Sequence, residues 1–185
     1  VWAVDRNLAS AEETATLATQ SGGICEAHIG DVTSEASLAA AITAAHARWG
    51  RVDILHYNVG VSLGGGDTVL ADFTEEAFDR LCAINLRGCI MAAKHAIPIM
   101  RAQQSGVIIN IASTAGVRPR GGLTWYNASK GWVITATRSL AAELAPFGIR
   151  VNAINPTITS PTMIRDSGDS EAFCIGFASV TKNDF

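Results

Sequence analysis

Short apolar runs alternate with longer amphipathic stretches along almost the whole chain. The runs rich in Val, Ile or Leu, without strict polar alternation, predict strands at Trp2–Val4, Ile24–His28, Val52–Tyr57, Val107–Ile111 and Ile149–Ile154. Strands of that composition are buried on both faces. Apolar positions at helical spacing predict helices over Ala9–Ser21, Ser34–Trp49, Glu75–Gln104 with a break near Leu86–Gly88, and Asn127–Ala145. Strand and helix in alternation imply parallel strands joined by right-handed crossovers, so the expected fold is α/β, a doubly wound parallel sheet in one domain spanning residues 1–185.

Several boundaries carry their own signals. Thr33 to Ser37 reads "TSEAS" and Thr74 precedes Glu75 and Glu76, so both look like capped helix starts with acids at the positive end of the dipole. Gly50 and Gly148 fall just past helix ends, where a left-handed residue closes the last turn.

Composition narrows the functional classes. With 48% hydrophobic and 17% charged residues in 185, a sizeable core is available and disorder is not expected. A net charge of -3 with fourteen scattered Lys and Arg gives no footprint for nucleic acid or an anionic membrane, which favours a small-molecule partner. Cys25, Cys82, Cys89 and Cys174 show no CxxC spacing, and the four histidines form no HxxxH or HExxH, so no metal site is expected and the thiols read as reduced. The most apolar stretch, "CIMAAKHAIPIM", is broken by Lys94, His95 and Pro98, short of the roughly 20 residues of a membrane helix. A soluble, cytoplasmic protein is the expectation.

In open α/β sheets ligands gather at the carboxyl ends of strands. The residues there are Asp5, Asp31, Asn58, Ser113 and the Asn155–Pro156 pair, all polar or turn-forming. The sharpest local feature is "WYNASKG", in which Tyr126 and Lys130 lie four apart at a helix start and so share a face. Ser113 in "NIASTAG" would bring a hydroxyl to the same edge, and Asn85 sits in "INLRG" within a helix.

Together these segments resemble the short-chain dehydrogenase/reductase family. "YNVG" (Tyr57 to Gly60) matches its N-A-G turn, "INLRG" its helical Asn, "NIASTAG" its Ser, "YNASK" its Tyr and Lys, "IRVNAINP" its sixth-strand signature, and Asp31–Val32 its adenine-pocket pair. The resemblance implies an NAD(P)-dependent, Rossmann-like oxidoreductase. It implies Asn85, Ser113, Tyr126 and Lys130 as catalytic residues, and cofactor contacts from Asp5, Arg6, Asp31, Val32, Asn58, Gly60, Tyr126, Lys130, Pro156 and Thr159. Hydride transfer at a carbinol carbon requires proton transfer at its oxygen, and a tyrosine, with an ordinary pKa of about 10, needs a neighbouring cation to act near neutrality. On this reading Lys130 favours the phenolate and holds the nicotinamide ribose, and Ser113 binds the substrate oxygen. Asn85 kinks its helix and holds a water that relays protons toward Lys130.

An acid at the tip of the ribose-binding strand favours NAD, and Arg6 beside Asp5 is the feature that could admit NADP. The glycine fingerprint of a phosphate loop belongs roughly 20 residues before such an acid. Only four residues precede Asp5, so the expected fold lacks the first strand and Gly-rich loop, and also the C-terminal strand. "GGGD", Gly64 to Asp67, follows the wrong strand to replace it and reads as a flexible loop near the substrate mouth. Thr157 stands where the family most often has Gly, and "SPTM" reverses the usual Thr–Pro order.

The leading expectation is therefore interconversion of a secondary alcohol and a ketone with NAD(H). A non-catalytic Rossmann fragment that binds no dinucleotide competes with it, and an epimerase or dehydratase sharing the Tyr–Lys pair is a third reading. The family further implies a homo-oligomer, a tetramer or dimer, with Trp132, Val133, Ala136 and Leu140 as apolar contact positions at helical spacing.

Overall fold

The computed structural model describes residues 1–62 and 66–157, together with the backbone of 173–176. Its strands are β1 (Trp2–Asp5), β2 (Glu26–Ile29), β3 (Ile54–Tyr57), β4 (Gly106–Ile111), β5 (Ile149–Ile154) and β6 (Phe173–Gly176). The helices are α1 (Leu8–Gln20), α2 (Glu35–Trp49), α3 (Glu75–Leu81), α4 (Cys89–Gln103) and α5 (Thr124–Leu144). The α/β class and its strand-helix alternation are those the apolar pattern predicts.

Local chemistry explains the ends of these elements. The Asn7, Ser34 and Thr74 side chains accept from the amides of Ala9, Ser37 and Ala77, each satisfying a donor that the first helical turn leaves open. Gly50 (φ 74°) closes α2, and Gly148 (φ 67°) closes the short turn after α5, both in the left-handed region. The long helix expected over 75–104 is divided, because Cys82–Gly88 forms a π-helical segment between α3 and α4.

The sheet order is β2-β1-β6-β3-β4-β5. Pairs β1/β2, β3/β4 and β4/β5 are parallel, whereas β6 runs antiparallel between β1 and β3. An all-parallel sheet is thus corrected at one strand. Without β6 the facing edges of β1 and β3 would leave a row of backbone donors and acceptors unpaired inside the sheet, and the apolar run "FCIG" supplies their partners. Four apolar residues carry no periodicity, which is why the run does not stand out in the sequence.

The core lies between the sheet and α2, α4 and α5. Leu38 and Ile42 of α2, Leu55 of β3, Leu81, Met100 of α4, Ile108 of β4 and Leu144 of α5 are all inaccessible to solvent or nearly so. Each such aliphatic side chain contributes about 1.5–3 kcal/mol by leaving water. Of the apolar positions expected to face a partner, Val133 is buried and Leu140 packs against the core, while Trp132 is exposed. The helical stripe on α5 therefore serves mainly the chain's own interior.

Candidate active site

The parallel strands β1, β3, β4 and β5 end at one edge of the sheet, with Asp5, Asn58, Ser113 and Pro156 at or just beyond their tips. The β3–β4–β5 half of this edge is covered by the first turns of α5. There the Lys130 side chain is buried, 4% exposed, and its Nζ donates to the Ile111 carbonyl at the end of β4 over 2.8 Å. The same Nζ lies 5.7 Å from the centre of the Tyr126 ring, so the two residues of "YNASK" do share a face.

Burial decides the electrostatics of this lysine. Loss of hydration pushes its pKa down to about 8, and the nearby Cys89 opposes that shift. Burial in turn pushes the Cys89 thiol up to about 12, with Lys130 opposing. Cys89 is held in place by a 3.4 Å contact to Asn110 Oδ1, and Asn110 Nδ2 donates to Thr137.

Ser113 follows β4 and caps the short turn Thr114–Gly116 by accepting from the Ala115 amide. Two contacts fix that turn. The Thr114 amide donates to the Pro156 carbonyl at the end of β5, and a Cβ on Gly116 would come within 2.7 Å of the Lys130 carbonyl carbon. Only a glycine lets the Ser113 turn sit so closely on α5 beside Lys130.

Asn85 is 2% exposed and lies inside the π-helical segment. Its Oδ1 accepts from the Val61 amide, and its Nδ2 donates to the Val61 carbonyl and to Ser129 Oγ. Ser129 Oγ donates onward to the Tyr126 carbonyl. The loop after β3, the π segment and α5 are thereby stitched together through one amide side chain. Tyr57 completes the junction, its hydroxyl donating to the Ile84 carbonyl within the π segment.

Gly60 bears on whether a flat ring and ribose fit here. A Cβ at that position would lie 3.0 Å from Lys130 Nζ and 3.5 Å from Asn85 Oδ1, so a bare backbone faces the cation and the amide. Asn58, two residues before it, is half-buried. At the other end of the sheet, Asp5 is 8% exposed and its Oδ1 accepts from the Asn7 amide; Arg6 beside it is exposed. Asp31 is exposed and accepts from both the amide and the hydroxyl of Thr33, while Val32 is buried. These groups suit the nicotinamide and ribose ends of a dinucleotide. No glycine-rich turn from a strand into a helix adjoins β1 among the described residues, so a pyrophosphate cradle is not seen. Thr159 lies outside the described residues.

Three contributors escape a reading of motifs. Ser129 is the polar filler of "YNASK" and carries the Asn85 link. Gly116 closes "STAG" against α5. Asp67, the last residue of "GGGD", is 3% exposed, and its Oδ2 accepts from the Tyr126 amide over 2.9 Å. An acid directly after three glycines in sequence is a signal that could have drawn notice to Asp67, though not to its partner.

The family model described as short chain dehydrogenase matches residues 1–172. The chain belongs to the short-chain dehydrogenase family. It is 40% identical over 136 residues to the 4-formylbenzenesulfonate dehydrogenase of Comamonas testosteroni, covering 74% of this chain and 53% of that one. With the levodione reductase of Leifsonia aquatica it shares 36% over 157 residues, or 85% of this chain and 58% of that one. Among solved structures, NAD+-bound xylitol dehydrogenase superposes with a TM-score of 0.80 at 30% identity, over 87% of this chain and 61% of that one. The 3-ketoacyl-(acyl-carrier-protein) reductase from Brucella melitensis complexed with NADH gives 0.76 at 40%, over 83% and 62%. The chain thus spans a little over half the length of these curated short-chain relatives.

Proposed function

We propose that this short-chain dehydrogenase sequence is the catalytic part of an oxidoreductase that interconverts a secondary alcohol and a ketone with NAD(H). One observation carries the reading: a lysine ammonium removed from water beneath the ring of Tyr126 and tied to the strand end that bears Ser113. Burying a cation is costly, and such groups cluster where chemistry needs them. A nicotinamide dinucleotide, when bound, takes or supplies the hydride.

The chain's own residues handle the proton. In the oxidative direction the Tyr126 phenolate accepts the alcohol proton as the carbinol C–H bond breaks; in reduction its hydroxyl returns that proton to the carbonyl oxygen. Lys130, in its protonated form, stabilises the phenolate across the shared face of α5. Ser113 donates to the substrate oxygen and holds it as charge develops there. Asn85 keeps the π segment, the loop after β3 and α5 in fixed relation. Lys130 and the bare backbone of Gly60 would hold the nicotinamide ribose, and Asp5 the adenosine ribose, where a carboxylate disfavours a 2′-phosphate and so favours NAD over NADP.

Replacing Tyr126 with Phe is expected to lower kcat by about 10³-fold or more while calorimetric titration with NADH gives an unchanged Kd. Retained turnover in that variant would remove Tyr126 from the role. A second reading is favoured by β6, which runs antiparallel in the slot between β1 and β3: the chain would then be a Rossmann fragment without dinucleotide affinity. Absence of heat on titration of the unaltered chain with NADH would decide for it.

A further inference from the structure

The helices α1, α2 and α3 are each capped by their own N-cap side chain, Asn7, Ser34 or Thr74. The helix that carries Tyr126 and Lys130 is built otherwise. Its N-cap is Leu123, which makes no side-chain hydrogen bond, and the acceptor for its first turn comes from Asp67, 59 residues upstream. Asp67 Oδ2 lies 2.9 Å from the Tyr126 amide nitrogen, in the first turn and at the positive end of the helix dipole.

Asp67 and the residue before it are themselves held in place. The Asp67 amide donates to the Ser62 carbonyl over 3.2 Å. Gly66, at φ 93°, sits so close to α3 that a Cβ would come within 2.9 Å of the Ala77 Cβ. Phe78 of α3 and Trp125 of α5 stack with ring centres 4.5 Å apart, so α3 lies against both Gly66 and the start of α5. Asp67 is 3% exposed, and its Oδ1 has no hydrogen-bond partner among the described residues. A carboxylate buried with one oxygen unpartnered among the described residues is a poor device for stability alone.

Resting on the assignment of Tyr126 as the acid/base, we propose that Asp67 is a positioning residue for Tyr126. Its carboxylate takes the Tyr126 amide proton and fixes the register of the first turn of α5 against the loop that follows β3. Gly66, left-handed and close against Ala77, then lets the chain bring the Asp67 side chain to the start of α5. A shift of about 1 Å in a reacting group costs on the order of 10²-fold in rate, which sets the size of the effect to look for.

The test compares Asp67→Ala, Asp67→Asn and Tyr126→Phe in the full chain. Asp67→Ala is expected to speed amide hydrogen exchange at Tyr126 by tenfold or more while Ile108 and Val151 in β4 and β5 keep their rates. It is also expected to lower kcat by about 10- to 100-fold with the KM for NADH within twofold of the starting value. Asp67→Asn retains an acceptor oxygen and is expected to restore the exchange rate and most of kcat. Unchanged exchange at Tyr126, equal acceleration throughout the sheet, or faster exchange at Tyr126 with full kcat would each overturn the proposal. Should Tyr126→Phe remain active, the acid/base assignment fails on its own, and the exchange measurement still decides whether Asp67 sets the turn.

Discussion

The two ends of the sheet solve the problem of placing polar groups in opposite ways. Around α5 the candidate site residues are buried or half-buried and joined by bonds that cross the sequence: Asn85 to Val61 and Ser129, Lys130 to Ile111, and Tyr126 to Asp67. Around β1 and β2 the two candidate carboxylates accept locally, Asp5 from the amide two residues on and Asp31 from Thr33. On the proposed function, the first arrangement suits proton transfer, where donors must already point at the reacting atoms. The second suits ribose recognition, where one or two carboxylates on short loops suffice. Changes at the α5 end should therefore alter rate and stability together, whereas changes at the β1 end should alter cofactor affinity with the fold nearly intact.

Lys130 offers the largest test of that contrast. Lys130→Met is expected to lower kcat by about 10³-fold, measured at saturating NADH. Its effect on stability carries a sign set by burial. Between the folded value of about 8 and the ordinary 10.5, the unfolded chain binds more protons than the folded one, so the unaltered chain gains stability as pH rises through that window. Methionine has no proton to exchange. The unfolding free energy of the unaltered chain should gain on the variant by about 1 kcal/mol between pH 8 and pH 9, by urea denaturation. Parallel curves for the two proteins would mean that Lys130 is not held in a desolvated place.

Next in size is Asn85→Ala. The substitution strips the Val61 amide and carbonyl of their side-chain partner inside the core, and buried groups left so cost about 1–3 kcal/mol each. A loss of about 3 kcal/mol is expected from the denaturation midpoint at constant slope. A loss below about 1 kcal/mol would show that the π segment is held without its asparagine.

What the sequence discloses follows the same division. Strand composition and caps are local, so β3, β4 and β5, the caps at Ser34 and Thr74, and the left-handed Gly50 and Gly148 can be read directly from the pattern. The break in the long helix is legible as well, because "INLRG" interrupts it with Asn and Gly. Three things are not legible, for one reason: each depends on residues distant in sequence. The edge filled by β6 is defined by β1 and β3 together, and the role of Gly116 by α5. Asp67 gives no sign of its partner because Leu123 offers only the lack of a cap. The inward turn of Val133 and Leu140 shows the converse limit, since helical spacing marks a face without saying what covers it.

The smallest effects belong to the β1 end, and Asp5→Ser measures them. Asp5 accepts from the Asn7 amide, and serine can keep that turn with its hydroxyl, so the stability change should stay within about 1 kcal/mol. Removing the carboxylate takes away the repulsion toward a 2′-phosphate, with Arg6 left beside the position. The ratio of kcat/KM for NAD over NADP is then expected to fall by about tenfold, with kcat for NAD held within twofold, because no group of the α5 network is touched. A variant that lost kcat as well would show that the tip of β1 is coupled to α5 through β6 and β3. The distinction between a loosely held ribose end and a rigid proton-transfer end would then fail.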